Sequence, residues 1–269
     1  MVRRTLTALV LLVIVVPAIV LGGILYFLLI GFFMVLASWE FVQMFREAEY
    51  EPSVYLSVGG TLAILAARAF WPFAAEPVFT FLILLAMAVH LIAYERGREQ
   101  AAFDFLVTVG CFVYMGWIGS YLVDLRSLPY GAWWVMYALP IVWLTDSGAY
   151  SFGARYGKHR MTPRLSPKKS WEGYLAGVFM GTFYGGFFAF AYTKFGPLDV
   201  TIWQGLLFGL ALSSLSLFGD LGESLFKRFG QMKDSGNLLP GHGGAFDRVD
   251  SLIWGGVIGF YWIHFFLLK

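Results

Sequence analysis

The stretch from Ser224 to Ser251 concentrates charged side chains between two apolar runs. It reads SLFKRFGQMKDSGNLLPGHGGAFDRVDS, and Asp220 and Glu223 lie within the helical turn that precedes it. The glycines around His242 permit close approach of the backbone to a ligand. Carboxylates beside cationic side chains suit a metal ion bound together with a phosphate. The stretch is therefore predicted to carry chemistry rather than only to join two helices.

Acidic side chains in and before this stretch are candidate metal ligands. Asp220 lies one turn before Ser224 on a predicted helix face, and Asp247 and Asp250 are one turn apart at the start of the last predicted helix. Asp146 ends an apolar run at membrane depth, where an ionisable group is costly and often functional. Mg²⁺ usually takes one or two protein carboxylates together with substrate phosphate oxygens. The sequence predicts a Mg²⁺ site formed by Asp146, Asp220, Asp247 and Asp250, and leaves room for a second cation.

Two structural alternatives compete with this metal site. Asp247 as an N-cap, with Asp250 in the first helical turn, would be ordinary helix capping. Asp146 would likewise serve as a cap or as a partner for Arg155.

A second polar stretch, SPKKSWE from Ser166 to Glu172, combines a helix start with two lysines. Ser170 is predicted to be the N-cap, with Glu172 in the first turn. Lys168 and Lys169 would crowd the positive end of the helix dipole unless an anion lies between them. A helix N-terminus with two lysines predicts a phosphate site. The alternative is that both lysines contact anionic lipid headgroups.

The amino-acid composition indicates that most of the chain lies in a lipid bilayer. Hydrophobic residues make up 59% of the 269-residue chain, charged residues 13%, and the mean hydropathy is +0.70. A soluble domain carries about 25% charged residues. The single cysteine, Cys111, excludes an internal disulfide. The fold class is predicted to be all-α, a polytopic transmembrane helix bundle.

The hydropathy pattern predicts about nine transmembrane helices. The uncharged run from Thr5 to Trp39 is too long for one bilayer crossing and is predicted to break near Pro17 or at Gly22 and Gly23; the total is eight if this run is one helix. The remaining predicted spans are residues 54–73, 78–94, 101–123, 131–152, 171–192, 202–219 and 252–268. Residues 1–130 are predicted to be N-terminal transmembrane helices, and residues 131–269 the transmembrane catalytic region.

Lysine and arginine are distributed unequally between the two sides of this topology. Thirteen lie in the loops at 40–53, 95–100, 153–170 and 220–251, and three lie on the opposite side. The positive-inside rule makes the first side cytoplasmic. We therefore expect an integral protein of the cell inner membrane or an equivalent membrane, with the N-terminus inside and the C-terminus outside. Both polar stretches then share the cytoplasmic face.

The two stretches resemble the phosphatidate cytidylyltransferase family, also called CDP-diglyceride synthases. The resemblance covers the chain from about residue 140 onward, and DSGAY from Asp146 together with SPKKSWEG from Ser166 is similar to the upstream block of that family. The C-terminal signature is matched in order and spacing at thirteen positions: Ser224, Lys227, Arg228, Lys233, Asp234, Gly236, Pro240, His242, Gly243, Gly244, Asp247, Arg248 and Asp250.

The resemblance implies transfer of CMP from CTP to phosphatidic acid, giving CDP-diacylglycerol and pyrophosphate with the help of a divalent cation. The catalytic residues would be Asp220, Asp247, Lys227, Arg228 and His242. The substrate-binding residues would be Lys168, Lys169, Ser170, Ser224, Lys233, Asp234, Gly243, Gly244 and Arg248. The expected partners are CTP, phosphatidic acid and the lipid bilayer. A homodimer is compatible with the small-residue helix faces, and no nucleic acid is expected.

Two other function classes remain open at this stage. A CTP-dependent polyprenol or lipid kinase would use the same nucleotide but transfer the γ-phosphoryl group. An anion or ion transporter would also place charges between helices, although its expected internal repeat is not visible in the sequence.

Overall fold

The structure, a computed structural model, describes residues 13–232, 234–236 and 243–268. It confirms the predicted helical membrane bundle. The helices are α1 (Gly23–Glu47), α2 (Val54–Phe70), α3 (Ala75–Glu95), α4 (Ala101–Cys111), α5 (Tyr121–Ser127), α6 (Gly131–Tyr156), α7 (Trp171–Phe195), α8 (Ile202–Leu215), α9 (Leu217–Phe229) and α10 (Phe246–Trp262). Wider π-helical turns continue α4 over Phe112–Ile118 and α10 over Ile263–Leu267.

The N-terminal apolar run is broken at Gly22, one of the predicted positions. Residues 13–21 are helical, Gly22 has φ 67° and ψ −150°, and α1 begins at the next residue. A positive φ is readily adopted by glycine, so the break between the two helical segments causes no side-chain strain. The part of the first predicted span before residue 13 lies outside the described residues.

Six helical segments of the described chain are long and apolar enough to cross a membrane. They are Gly23–Glu47, Pro72–Glu95, Ala101–Ser127, Trp171–Phe195, Ile202–Phe229 and Phe246–Leu267, and Val54–Phe70 is a shorter apolar helix. Helix α6 is also 26 residues long and contains Pro140. These helices make the chain an integral membrane protein.

Two helices extend beyond the ends predicted from hydropathy, because their last or first turns contain charged residues. Helix α10 begins at Phe246 rather than at residue 252, so that Asp247 stands in its first turn. After a turn at Ser216, α9 extends the helical path to Phe229, ten residues beyond the predicted end at residue 219. Both extensions carry residues of the predicted site.

The chain forms two compact units. The first comprises Met1–Asp124 and Phe226–Val249, and the second comprises Leu125–Leu225 and Asp250–Lys269. Helices α9 and α10 each contribute residues to both units. The division predicted at residue 130 is a different one and stays a prediction.

The second unit is packed around glycines on α7. A Cβ at Gly177 would lie 2.8 Å from the Thr145 carbonyl oxygen of α6, and one at Gly185 would lie 2.3 Å from the Gly205 carbonyl oxygen of α8. The backbone of α7 therefore contacts the backbones of α6 and α8 so closely that any residue larger than glycine would clash at these two positions. The opposite face of α7 exposes Phe179 and Phe183, as expected for a lipid-facing surface. These glycines are used within the unit, and the predicted homodimer stays a prediction.

A two-stranded hairpin, which the all-α prediction omitted, precedes α7. Strand β1 (Arg160–Thr162) pairs antiparallel with β2 (Ser166–Ser170). Thr162 and Ser166 each precede a proline, and residues before proline favour extended backbone. The hairpin ends at Ser170, whose hydroxyl accepts a hydrogen bond from the Gly173 amide at 3.2 Å and caps α7 as predicted.

The first unit brings α1 against the start of α10 and the end of α9. The Phe41 ring of α1 lies 4.9 Å from the Phe226 ring and 6.3 Å from the Phe246 ring, measured between centroids. Gly230, just after α9, lies against the Met44 backbone, where a Cβ would be 2.5 Å from the Met44 carbonyl oxygen. This packing places the polar end of α1 beside the predicted signature stretch.

Candidate active site

Three carboxylates of the second unit converge at the crossing of α9 and α10. Asp220 and Glu223 lie one turn apart on α9, Asp250 lies on α10, and one oxygen from each lies within 4.8 Å of the others. The helices cross closely because Gly219 has no side chain; a Cβ there would lie 2.3 Å from the Asp250 carbonyl oxygen. The arrangement brings together two of the four predicted metal ligands.

The chemistry of this cluster fits a hard divalent cation. All three groups are carboxylates, the oxygen donors that Mg²⁺ and Ca²⁺ prefer. Glu223 is 1% and Asp250 8% exposed, whereas the Asp220 side chain is 38% exposed. Burying several negative charges together is costly unless a cation compensates them.

Lys169 of β2 contacts the exposed edge of the cluster. Its Nζ lies 2.6 Å from Asp220 Oδ2. The hairpin sets this position, because Lys169 immediately precedes the Ser170 cap. Glu172, in the first turn of α7, accepts hydrogen bonds from the Lys158 and His159 amides at 3.1 and 3.2 Å. The hairpin is thus tied to the helix that follows it.

Asp146 lies on α6 and interacts electrostatically with both Asp220 and Lys169. Its side chain is exposed. It stands near the cluster but outside the set of three carboxylates whose oxygens converge. Its predicted role as a metal ligand stays a prediction.

Asp247 belongs to a separate polar network within the first unit. Its Oδ1 lies 2.7 Å from Lys227 Nζ, and its Oδ2 accepts hydrogen bonds from the Ser235 amide at 3.1 Å and the Gly244 amide at 2.9 Å. The side chains of Lys227 and Asp247 are only 14% and 16% exposed. Since α10 already starts at Phe246, Asp247 is not the N-cap of the alternative interpretation, and its carboxylate instead reaches back toward the preceding loop.

Glu40 of α1 completes this network. It is 1% exposed and accepts hydrogen bonds from the Ala245 and Phe246 amides at 2.8 Å each, and from the Ser235 hydroxyl at 2.9 Å. The first amides of a helix have no partner within the helix, so Glu40 supplies a cap from another part of the chain.

The other predicted site residues are distributed as follows. Ser224 is buried on α9, Gly244 is buried, and Gly243 has φ 76°. Lys168, Arg228, Asp234 and Arg248 are exposed. Lys233 and His242 lie outside the described residues.

A cavity of about 890 Å³ opens elsewhere in the first unit. It is lined in part by Trp39, Arg46, Tyr50 and Arg98. Arg98 donates to Asp104 at 2.7 Å, and this hydrogen bond raises the pKa of Arg98 above its ordinary value. The cavity contains none of the three converging carboxylates, so its size does not make it the better candidate for chemistry.

Sequence reasoning missed two acidic residues among the candidate site residues. Glu223 was not among the predicted metal ligands. It lies one turn after Asp220 on the same helix face, and this spacing would have justified including it. Glu40 gave only a weak signal, a lone acid at the end of an apolar run. Its hydrogen-bond partner Ala245 is 205 residues away, so local spacing does not reveal the contact.

Comparison with known proteins gives consistent matches over nearly the whole chain. Residues 2–266 match the family model described as "Cytidylyltransferase family". The chain is 32% identical over 251 residues to the phosphatidate cytidylyltransferase of Staphylococcus aureus (strain COL), covering 93% of this chain and 94% of the relative. It is 33% identical over 257 residues to the phosphatidate cytidylyltransferase of Staphylococcus epidermidis (strain RP62A), with the same coverage of 93% and 94%.

Proposed function

This chain belongs to the cytidylyltransferase family and is a membrane-embedded nucleotidyltransferase, and on that premise we propose that it transfers CMP from CTP to phosphatidic acid. The products are CDP-diacylglycerol and pyrophosphate. The observation that carries the proposal is the convergence of Asp220, Glu223 and Asp250 beside Lys169, in a chain whose relatives are named for this reaction.

The nature of the two substrates accounts for the mixture of charges. CTP and phosphatidic acid are both anionic, so a protein that brings them together must offset their repulsion with cations. Phosphatidic acid is also a lipid, which explains why the acids lie on helices of a membrane protein, with the lysine on the hairpin beside them, rather than in a separate soluble domain.

The reaction is an in-line displacement at the α-phosphorus of CTP. An oxygen of the phosphatidate phosphate forms a bond to the α-phosphorus, and the bond from that phosphorus to the bridging oxygen of the β-phosphate breaks. Pyrophosphate leaves with the bridging oxygen. A phosphate monoester has its second pKa near 6, so the attacking oxygen is already largely anionic at neutral pH and no strong general base is required.

The acid cluster is the proposed cation site. Asp220, Glu223 and Asp250 would hold Mg²⁺, with Asp146 beside them. When bound, the ion supplies positive charge that stabilises the developing charge on the phosphate oxygens. Asp247, predicted as a fourth ligand, is engaged with Lys227 and Ser235 and is assigned to positioning that lysine.

Cationic side chains are assigned to the phosphates. Lys168 and Lys169 both lie just before the start of α7, where backbone amides and the helix dipole also favour an anion. Lys227 and Arg228 of α9, Arg248 of α10, and Lys233 and His242 are further phosphate-binding candidates. His242 is assigned to binding rather than to proton abstraction, because the lipid phosphate needs no base.

The active site faces the cytoplasm in this proposal. CTP is a cytoplasmic metabolite, and the thirteen-to-three distribution of basic residues supports the same side. The N-terminus then lies inside and the C-terminus outside.

A purified-protein assay tests the proposal. The protein in mixed micelles with phosphatidic acid, CTP and Mg²⁺ should release pyrophosphate and form lipid-linked CMP in equal amounts. A CTP-dependent lipid kinase would instead release CDP and form no lipid-linked CMP. Absence of any lipid product with phosphatidic acid would contradict the proposed acceptor.

A further inference from the structure

Glu40 is a buried acid that the proposed chemistry does not use directly. It lies on α1, within the N-terminal part of the chain for which sequence analysis offered only hydropathy. Its carboxylate is 1% exposed yet makes three hydrogen bonds, all to residues of the signature stretch: the Ser235 hydroxyl, the Ala245 amide and the Phe246 amide. A buried carboxylate with three hydrogen-bond donors is a specific structural contact rather than a solvated surface charge.

The two amide contacts fix where α10 begins. Glu40 Oε1 accepts from the Ala245 amide and Oε2 from the Phe246 amide, both at 2.8 Å. These amides lie at the N-terminus of α10, where a negative charge is also favoured by the helix dipole. Asp247 follows Phe246 directly, so the backbone that carries its side chain is held by Glu40.

Ser235 links Glu40 to Asp247. Its hydroxyl donates to Glu40 Oε2 at 2.9 Å and its backbone amide donates to Asp247 Oδ2 at 3.1 Å, and Asp247 in turn contacts Lys227 at 2.7 Å. A continuous chain of polar contacts thus runs from Glu40 to the lysine assigned to phosphate. Displacing its first member should move the others.

Two glycines of the signature leave space for the Glu40 carboxylate. A Cβ at Gly236 would lie 2.4 Å from Glu40 Oε1, and one at Gly244 would lie 2.3 Å from Glu40 Oε2. Within the described part of the stretch, Glu40 approaches both glycines, and the Ser235 hydroxyl also approaches Gly244, at 2.2 Å from the position of a Cβ. This explains their presence without a ligand at either position.

We propose that Glu40 is a positioning residue for nucleotide transfer, which acts by holding Ser235 and the start of α10 so that Asp247 orients Lys227. The inference rests on the proposed function for the role of Lys227. It predicts that Glu40 affects CTP binding only through Ser235 and Asp247, since Glu40 itself is 1% exposed.

A double-mutant cycle with Glu40→Gln and Asp247→Asn tests this coupling. Glutamine keeps the volume of Glu40 but presents an NH₂ donor where the carboxylate accepted from an amide. The readout is CTP affinity by equilibrium binding to the purified full-length protein in detergent at fixed Mg²⁺, together with KM and kcat for variants that retain turnover. We expect each single change to weaken CTP binding about tenfold, and Glu40→Gln to add less than about threefold in the Asp247→Asn background.

Asp104→Asn is the matched control. Asp104 is another acid of the first unit at 1% exposure, and it accepts a backbone hydrogen bond from the Glu51 amide at 2.7 Å as well as contacts from Arg98. Among the described residues, the hydrogen bonds of its carboxylate come from Glu51 and Arg98 and not from the signature stretch. We expect this variant to lower thermal stability while leaving CTP affinity and KM within about twofold of wild type.

The outcomes separate the inference from the function on which it rests. Suppose that wild type binds CTP and makes CDP-diacylglycerol. If Glu40→Gln then binds CTP normally, the positioning role is wrong and the function stands. The same holds if Glu40→Gln weakens CTP binding by the same factor in the Asp247→Asn background as in wild type. If wild type neither binds CTP nor forms the product, the function itself fails. Should Glu40→Gln not fold, Ser235→Ala takes its place in the cycle, and unchanged CTP affinity in that variant overturns the inference.

Discussion

Lys169 Nζ lies 2.6 Å from Asp220 Oδ2, which joins the end of the hairpin to the first acid of α9. The two side chains are 19% and 38% exposed. An ion pair with this much exposure contributes about 0–1 kcal/mol to stability. We therefore assign the pair to holding the Lys169 ammonium group beside the acid cluster rather than to stabilising the fold.

Replacing Lys169 by Gln should weaken CTP use without unfolding the protein. Loss of one charge-assisted contact to a phosphate costs about 1.5–3 kcal/mol, which corresponds to a roughly ten- to 150-fold fall in kcat/KM. Steady-state kinetics with CTP as the varied substrate measure this change, and a thermal melt in detergent checks the fold.

Lys168→Gln is the control for this prediction, since Lys168 is the neighbouring lysine and is exposed. We expect a smaller fall than for Lys169→Gln. Wild-type kinetics in the double Gln variant would show that both lysines contact only lipid headgroups.

Glu223→Gln should impair the enzyme as strongly as Asp220→Asn or Asp250→Asn. Each change removes one negative oxygen donor from the converging group while preserving side-chain size. In a Mg²⁺ titration we expect every variant to need more Mg²⁺ for half-maximal activity, with at least about a tenfold loss at fixed Mg²⁺, because a ligand beside the divalent ion has lost its charge.

Asp199→Asn serves as the control for the acid cluster. Asp199 is an exposed acid in the loop between α7 and α8 and belongs to the same unit. Its Mg²⁺ dependence should match that of wild type. If Asp220→Asn, Glu223→Gln and Asp250→Asn also match wild type across the titration, the proposed cation site is wrong.

The sequence predicted those parts of the fold that depend on local pattern. Hydropathy located the helices, the glycine pair located the break at Gly22, and the Ser-x-x-Gly start of α7 was correctly predicted to be capped by Ser170. The meeting of Asp220 with Asp250 was expected from topology and carboxylate spacing, and the structure brings these two acids together.

Long-range contacts account for what the sequence did not predict. Glu40 contacts Phe246 across 206 residues, and no spacing rule connects two such positions. The hairpin was omitted because its strands of three and five residues are too short to produce an alternating pattern. Asp247 was grouped with the other acids by its one-turn spacing from Asp250, and this local spacing carries no information on its contact with the folded loop at Ser235.

Gly185→Ala should destabilise the second unit. The added methyl group would lie 2.3 Å from the Gly205 carbonyl oxygen of α8, so the helices must separate. Overpacking of this kind costs about 1–3 kcal/mol and should lower the apparent Tm in detergent.

Gly59→Ala is the control for Gly185→Ala, because Gly59 lies in a helix but has open space around it. A Cβ at Gly59 of α2 meets nothing within 4 Å, so alanine should be neutral or stabilising by up to about 1 kcal/mol through helix propensity. Equal Tm values for the Gly185→Ala and Gly59→Ala variants would contradict the close helix packing described for α7 and α8.

Cysteine labelling tests the proposed orientation. Thr162→Cys and Leu238→Cys fall in the two polar stretches, and the native Cys111 is buried. Both introduced thiols should react with an impermeant maleimide only from the cytoplasmic side, because both stretches lie in the basic loops. Reaction of the two thiols from opposite sides would exclude a common cytoplasmic face.

The fate of the individual phosphorus atoms of CTP tests the proposed reaction most directly. Purified wild-type protein is incubated with phosphatidic acid, Mg²⁺ and CTP labelled either at the α- or at the γ-phosphorus, and the lipid and aqueous phases are counted. We expect the α-label in the lipid and the γ-label in pyrophosphate, with Asp220→Asn forming little of either product. Recovery of the γ-label in the lipid, with the α-label left in soluble CDP, would contradict CMP transfer and identify a kinase instead.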